Sequence, residues 1–120
     1  MAELLHDGRV LAPVELACGP FARGRGVLGR ERLEGVLVLR SVSVHTVGVR
    51  FPLDVVCCRP VPGPDDVSAG GWSLLVGAVR TLPPGRITRP RWYHRVVLEA
   101  AAGSFARWGV GPGDRIGIRR

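Results

Sequence analysis

Residues 41–58 read SVSVHTVGVRFPLDVVCC, and their reading decides the fold. Apolar residues alternate with polar ones, which is the signature of extended chain with one face buried. Val42 and Val44 occupy even positions, but from Val47 onward the apolar set is odd: Val49, Phe51, Leu53, Val55 and Cys57. Side chains on a strand repeat every two residues, so a regular strand cannot change phase. The sequence therefore predicts extended chain over Ser41 to Cys58 with one extra residue, or a bend, near His45 and Thr46; a β-bulge supplies the extra residue and re-aims side chains near sites. Beyond the shift, Thr46, Gly48, Arg50, Pro52 and Asp54 share the other face. Pro52 donates nothing to a ladder, which predicts an edge or a bend there. On an ideal strand Arg50 and Asp54 lie roughly 13 Å apart and do not pair.

Working outward, Gly35 to Arg40 (GVLVLR) is apolar on both faces and reads as a central, doubly covered strand. Arg59 to Gly71 is rich in Pro, Gly and Asp and reads as a loop. Strands are expected at Trp72 to Leu82, ended by Pro83-Pro84-Gly85, at Val96 to Ala100, and at Arg115 to Arg119 with Ile116 and Ile118 inward. Ser104 to Trp108 reads as a short helix with Ser104 as N-cap and Gly109 as the C-terminal stop. Near the start, His6-Asp7-Gly8 between apolar runs is a hairpin signal. Pro13 is expected to limit the segment after it, with Val14 to Ala17 a separate short strand. Gly19 to Arg32 predicts one or two loose helical turns. Its GRGVLG string, Gly24, Gly26 and Gly29, has dinucleotide-fingerprint spacing but lacks the strand before and long helix after that such a site needs. Seven or eight short strands between Pro/Gly turns argue a mainly β single domain over residues 1–120, a β-sandwich or jelly-roll-like barrel with one or two short helices.

A chain of 120 residues is long enough for one hydrophobic core. No run reaches membrane-span length, and MAELLHDGRV lacks the basic start and apolar run of a secretory signal. The odd cysteine count, Cys18, Cys57 and Cys58, is no disulfide framework, so a reducing, cytoplasmic location without membrane association is expected. All 17 basic residues are arginine, giving a net charge of +7. Abundant Gly, Ala, Val and Pro beside them point to a compositional habit of a GC-rich genome, which discounts charge as a nucleic-acid signal.

Three strings, GVLGRERLEGVLVL, HTVGVRFPLDVV and VVLEAAAGSFARWGVGPGDRI, occur in an order and spacing that resembles the domain of unknown function 192 family of small bacterial and archaeal proteins. The resemblance runs from about Phe21 to Ile118. It implies a β-sandwich of jelly-roll type with one or two short helices and implies no activity. The chain departs from the family pattern where an aromatic-methionine-lysine-asparagine string would precede the proline: His45, Thr46, Val47 and Gly48 stand there.

Three groups of residues are candidates for chemistry. His45 with Asp54 and Glu99 is a candidate acid–base group, weighed against a half-buried histidine beside a bulge with satisfied carboxylates. Arg30, His45, Arg50, Asp54 and Glu99, with Arg25, are candidates for one groove taking a small anionic ligand, since guanidinium forks bind carboxylate or phosphate. The competing reading is internal ion pairing of Asp54 and Glu99. Arg86 to Arg95, with Arg86, Arg89, Arg91, Trp92, Tyr93 and Arg95, is a candidate single-stranded nucleic-acid surface, weighed against a wet loop. No paired His or Cys spacing suggests a metal, no cofactor motif stands, and Ser104 in AAGSF lacks the second glycine of a nucleophile elbow. The sequence therefore favours a binding or accessory module acting on a small anion or a protein partner over a small hydrolase- or isomerase-like enzyme.

Overall fold

The computed structural model describes residues 2–16, 32–41, 45–47, 49–64, 71–90 and 92–120. The chain opens with β1 (Ala2–His6) and β2 (Arg9–Leu16). They form an antiparallel hairpin whose two turn residues, Asp7 at φ 51° and Gly8 at φ 77°, supply the positive φ values that a two-residue connection needs. β2 runs through Pro13 as one strand, where a break was expected. The parallel ladder to β3 (Val36–Arg40) begins only at Val14, so Pro13 lies just outside it.

The remaining elements are β4 (Leu53–Pro60), β5 (Trp72–Leu82), β6 (Val96–Ala101), α1 (Ser104–Trp108) and β7 (Arg115–Arg119). The strands close into a seven-stranded barrel in the order β1-β2-β3-β6-β4-β5-β7, with β7 returning to β1. Of the two architectures expected from sequence, the structure is the barrel, mainly β, with one short helix among the described residues. Its radius of gyration, 13.1 Å, fits a single domain of this length.

Strand alternation sorts side chains into two sets. Leu4, Val36, Val38, Val56, Cys58, Leu74, Val76, Leu98, Ala100, Ile116 and Ile118 form the interior. Leu37, Leu39, Leu53, Val55 and Val97 face outward, yet they are buried too, under Leu33, Val49 and the partly buried Phe51 and Leu82. This second layer explains why β3 and β4 are apolar on both faces. Each buried leucine or valine contributes about 1.5–3 kcal/mol.

The decisive stretch is only half strand. Leu53 to Cys58 lies in β4, but residues 45–47 and 49–52 leave the sheet and cross its outer face, and His45 makes only an isolated bridge to Ile87. Among the described residues the chain bends away at 45–47 and does not run as one bulged strand into β4. The alternation of Val49 and Phe51 instead serves the outer apolar layer. The irregularities lie elsewhere: the β1/β2 register shifts at Leu4/Leu5, and β4 and β5 shift at Cys57/Cys58, leaving Gly77 as the extra residue of β5. The predicted helical turns at 19–32, the glycines of GRGVLG, Cys18 and most of the loop tip at 65–70 lie outside the described residues.

One end of the barrel is plugged by α1. Phe105 is fully buried in the interior and meets Trp108 edge-on at 5.1 Å. The helix ends as expected at Gly109, φ 72°, with Val110 N–H donating to Phe105 O across the stop. Its start differs: Gly103 occupies the N-cap, and Ser104 lies in the first turn with its hydroxyl donating to Ala101 O.

Candidate functional site

Asp54 sits on β4 with its side chain on the interior face, 1% exposed, at the end that α1 closes. Its Oδ1 accepts hydrogen bonds from Thr81 Oγ1 at 2.7 Å and Gly103 N at 3.0 Å, and its Oδ2 accepts from Phe105 N at 3.0 Å. The two backbone donors, Gly103 N and Phe105 N, lie at the start of the helix, which carries no side-chain cap of its own. The carboxylate ties α1 to the wall.

Glu99 points the other way. It stands on β6 directly opposite Val55 and Leu37, in the outward set, 3% exposed. Asp54 faces Ala100, one register position away. The two carboxylates therefore lie on opposite sides of the barrel wall and do not share a site. His45 and Arg50 are exposed on the crossing segment. Arg30 and Arg25 lie outside the described residues. The acid–base group His45, Asp54 and Glu99 is not assembled, and neither is the groove expected to hold all of Arg30, His45, Arg50, Asp54 and Glu99.

The residue between His45 and the outer layer that the structure does use is Thr46, which is fully buried. Its hydroxyl donates to Pro83 O at 2.7 Å and accepts from Arg86 N at 2.8 Å. Its backbone N–H donates to Arg86 O, and its carbonyl accepts from Gly85 N. Thr46 thus pins the turn at 83–86, from which the segment 86–95 is launched.

Among the described residues, no element plugs the opposite end of the barrel. Arg40, Pro60, Trp72 and Val96 continue the inward phase of Val38, Cys58, Leu74 and Leu98 to the rim. With Ser41 and Arg95 they line a mostly apolar cavity of about 550 Å³. Ser41 N–H donates to Arg95 O at 3.0 Å, which holds the β3 and β6 ends together at the mouth. The Arg40 guanidinium lies 5.2 Å from the Trp72 ring centroid. Sequence reading passed over Arg40 and Trp72. The signal for both was phase: each sits at the end of a strand in step with its inward residues.

Beside the mouth, residues 92–95 form a ledge. Arg95 Nε donates to Trp92 O at 3.1 Å, and the Arg59 guanidinium lies 4.9 Å from the Tyr93 ring. His94 meets Tyr93 edge-on at 5.6 Å and lies over Gly77. Trp92 and Tyr93 are 69% and 70% exposed. Arg86 and Arg89 are exposed as well, while Arg91 lies outside the described residues. A second hollow of about 490 Å³ lies on the outer face between Arg80, Thr88 and Arg89 and is floored by Val55 and Cys57.

The Cys58 thiol points into the interior, and burial, with Cys57 adjacent, pushes its pKa far above the usual thiol value. No cluster of three His, Cys, Asp or Glu side chains suited to a metal occurs among the described residues. Among the described residues no helix is long and apolar enough to cross a membrane.

The chain matches no family model and no curated protein sequence. Two crystal structures share its fold. One, described as "a putative transcription regulator" from Sinorhizobium meliloti 1021, is 24% identical with a TM-score of 0.70, over 96% of this chain and 89% of that one. The other, a protein of unknown function from Novosphingobium aromaticivorans, is 18% identical with a TM-score of 0.65, over 96% of this chain and 81% of that one. The likeness is one of fold, that of a small, mainly β domain, which in this chain closes into a barrel.

Proposed function

We propose that the protein is a binding module whose ligand site is the open mouth of the barrel, and that the ligand is a small anion with a flat, apolar body. One observation carries this: two arginines, Arg40 and Arg95, stand on the rim of a cavity otherwise walled by Trp72, Val96 and Pro60. Guanidinium groups offer charge-assisted, bidentate hydrogen bonds to phosphate or carboxylate. The Trp72 ring offers a face for a planar group, and the cavity volume falls in the range of small-molecule sites. The site is displaced from the one expected near His45. An enzyme built on His45, Asp54 and Glu99 draws no support from the geometry, because Asp54 is consumed in holding α1 and Glu99 faces the other side of the wall. A cytoplasmic setting is the corresponding proposal for location.

The test is a calorimetric titration with nucleoside monophosphates and aromatic carboxylates, repeated on Arg40→Ala and Trp72→Leu. Binding that weakens about tenfold or more in each variant is expected, in line with the loss of one charge-assisted contact or one stacking face. Equal affinity in the wild type and both variants overturns the assignment.

A further inference from the structure

We infer that the mouth and the ledge beside it together bind single-stranded nucleic acid, with one base in the mouth and its neighbours stacked on Trp92 and Tyr93. The inference rests on the mouth being the ligand site and extends it to a polymeric ligand.

The two features are continuous. Arg95 lines the mouth, and its guanidinium bonds the Trp92 carbonyl. Pro60 lines the mouth, and its neighbour Arg59 lies against the Tyr93 ring. The surface thus holds three guanidinium groups, Arg40, Arg95 and Arg59, between Trp72 at one side and Tyr93 and Trp92 at the other. Two large aromatic side chains left about 70% exposed on a short turn lose apolar burial. The turn that carries them is held in place: Arg59 packs on Tyr93, His94 anchors the turn over Gly77, and Arg95 Nε donates to the Trp92 carbonyl. Rigid, exposed aromatics flanked by arginines suit bases that stack without sequence preference and phosphates that follow them. The three guanidinium groups along this surface, Arg40, Arg95 and Arg59, favour a polyanion over a neutral or basic partner. A duplex hides its base faces, so the stacking residues select a single strand.

The experiment is fluorescence anisotropy with labelled homopolymers of about twelve nucleotides, DNA and RNA, within the usual site size of such grooves. Wild type, the double variant Trp92→Ala/Tyr93→Ala, and Arg59→Ala are compared, each with a mononucleotide titration alongside. Both aromatics are exposed, so the double variant folds, and a thermal melt checks it. Wild type is expected to bind the single strand about tenfold or more tighter than the mononucleotide and than a duplex of the same length. The double variant loses that gain and keeps its mononucleotide affinity. Three arginines at phosphates give log K against log salt a slope of about −2.

A single strand bound no tighter than the mononucleotide, or unaffected by the double substitution, overturns the inference and leaves the mouth assignment standing. A duplex bound as tightly overturns stacking. A polyglutamate peptide that displaces the strand at equal charge concentration overturns it in favour of an acidic protein partner. Loss of mononucleotide binding from wild type removes the mouth assignment itself.

Discussion

Asp54 on β4 and Glu99 on β6 are one register step apart on hydrogen-bonded strands, and their side chains leave opposite faces of the barrel wall. Each is almost fully buried, but the surroundings differ: Asp54 holds donors from α1, while Glu99 lies in the outer apolar layer with partners of its own. This back-to-back placement separates a structural role from any role in ligand binding and makes the two separable by mutation.

Asp54→Asn replaces an acceptor-only carboxylate with a group that presents an N–H toward a backbone donor. One of Gly103 N, Phe105 N or Thr81 Oγ1 then loses its acceptor. The expected cost is about 2–3 kcal/mol, since bonds to a charged group are among the stronger ones and buried donors are costly to orphan. A urea titration followed by near-UV circular dichroism checks it, with the Phe105–Trp108 edge contact as reporter. Because the mouth lies at the other end of β4, ligand affinity in the folded variant stays at the wild-type value. A loss of affinity at unchanged stability would return Asp54 to the ligand site.

Thr46→Val keeps the shape and removes the hydroxyl. Pro83 O and Arg86 N then lose partners in a fully buried place. A loss of about 1–3 kcal/mol is expected, together with faster amide exchange at Gly85 and Arg86. Thr46→Ser retains the bonds and is expected to recover most of the stability. Equal stability of the valine and serine variants would show that the hydroxyl does not pin the turn.

The parts of the fold legible in the sequence were those whose signal is local. Trp72 to Leu82, Val96 to Ala100 and Arg115 to Arg119 are short apolar runs bounded by Pro/Gly turns, and Asp7-Gly8 closes its hairpin through its own φ values. Residues 45–52 misled because a period of two does not say what the apolar face packs on: Val49 and Phe51 cover the sheet from outside and do not extend it. Asp54 looked like chemistry because its partners are remote, 27 to 51 residues away, and the partners of the Thr46 hydroxyl, 37 and 40 residues away, are as hard to read from sequence. The mouth was missed for the same reason. Arg40, Trp72 and Arg95 meet only once three strand ends are brought to one rim, and no spacing within any one of them announces it.

Gly77 and His94 provide a coupled test of how the ledge is held. A Cβ built at Gly77 would run into the His94 ring. Gly77→Ala is therefore expected to push the imidazole aside, costing about 1 kcal/mol and loosening the turn at 92–95. In a His94→Ala background the same substitution meets empty space and its cost falls, so a double-mutant cycle gives a coupling of about 1 kcal/mol. Additive costs would mean that the ring is not seated on Gly77.

Cys58 sets the response of the fold to alkali. Its thiol is held neutral in the interior, with its pKa raised by burial above the ordinary value of 9.0. The unfolded chain releases that proton near pH 9, whereas the folded chain keeps it. Below pH 9 both states are protonated and the full stability is present. Above it the unfolded state gains by ionising, and stability falls by about 1.4 kcal/mol per pH unit until the buried thiol titrates. Cys58→Ala removes this dependence at a cost of about 1 kcal/mol for the vacated sulfur volume, incurred equally at every pH. Urea midpoints of the two proteins between pH 8 and about pH 10.5, bracketing the ordinary thiol value, are expected to start with the wild type higher, cross roughly half a pH unit or more above the thiol value, and end with the order reversed. A constant gap across that range would place the thiol in contact with solvent and refute its burial.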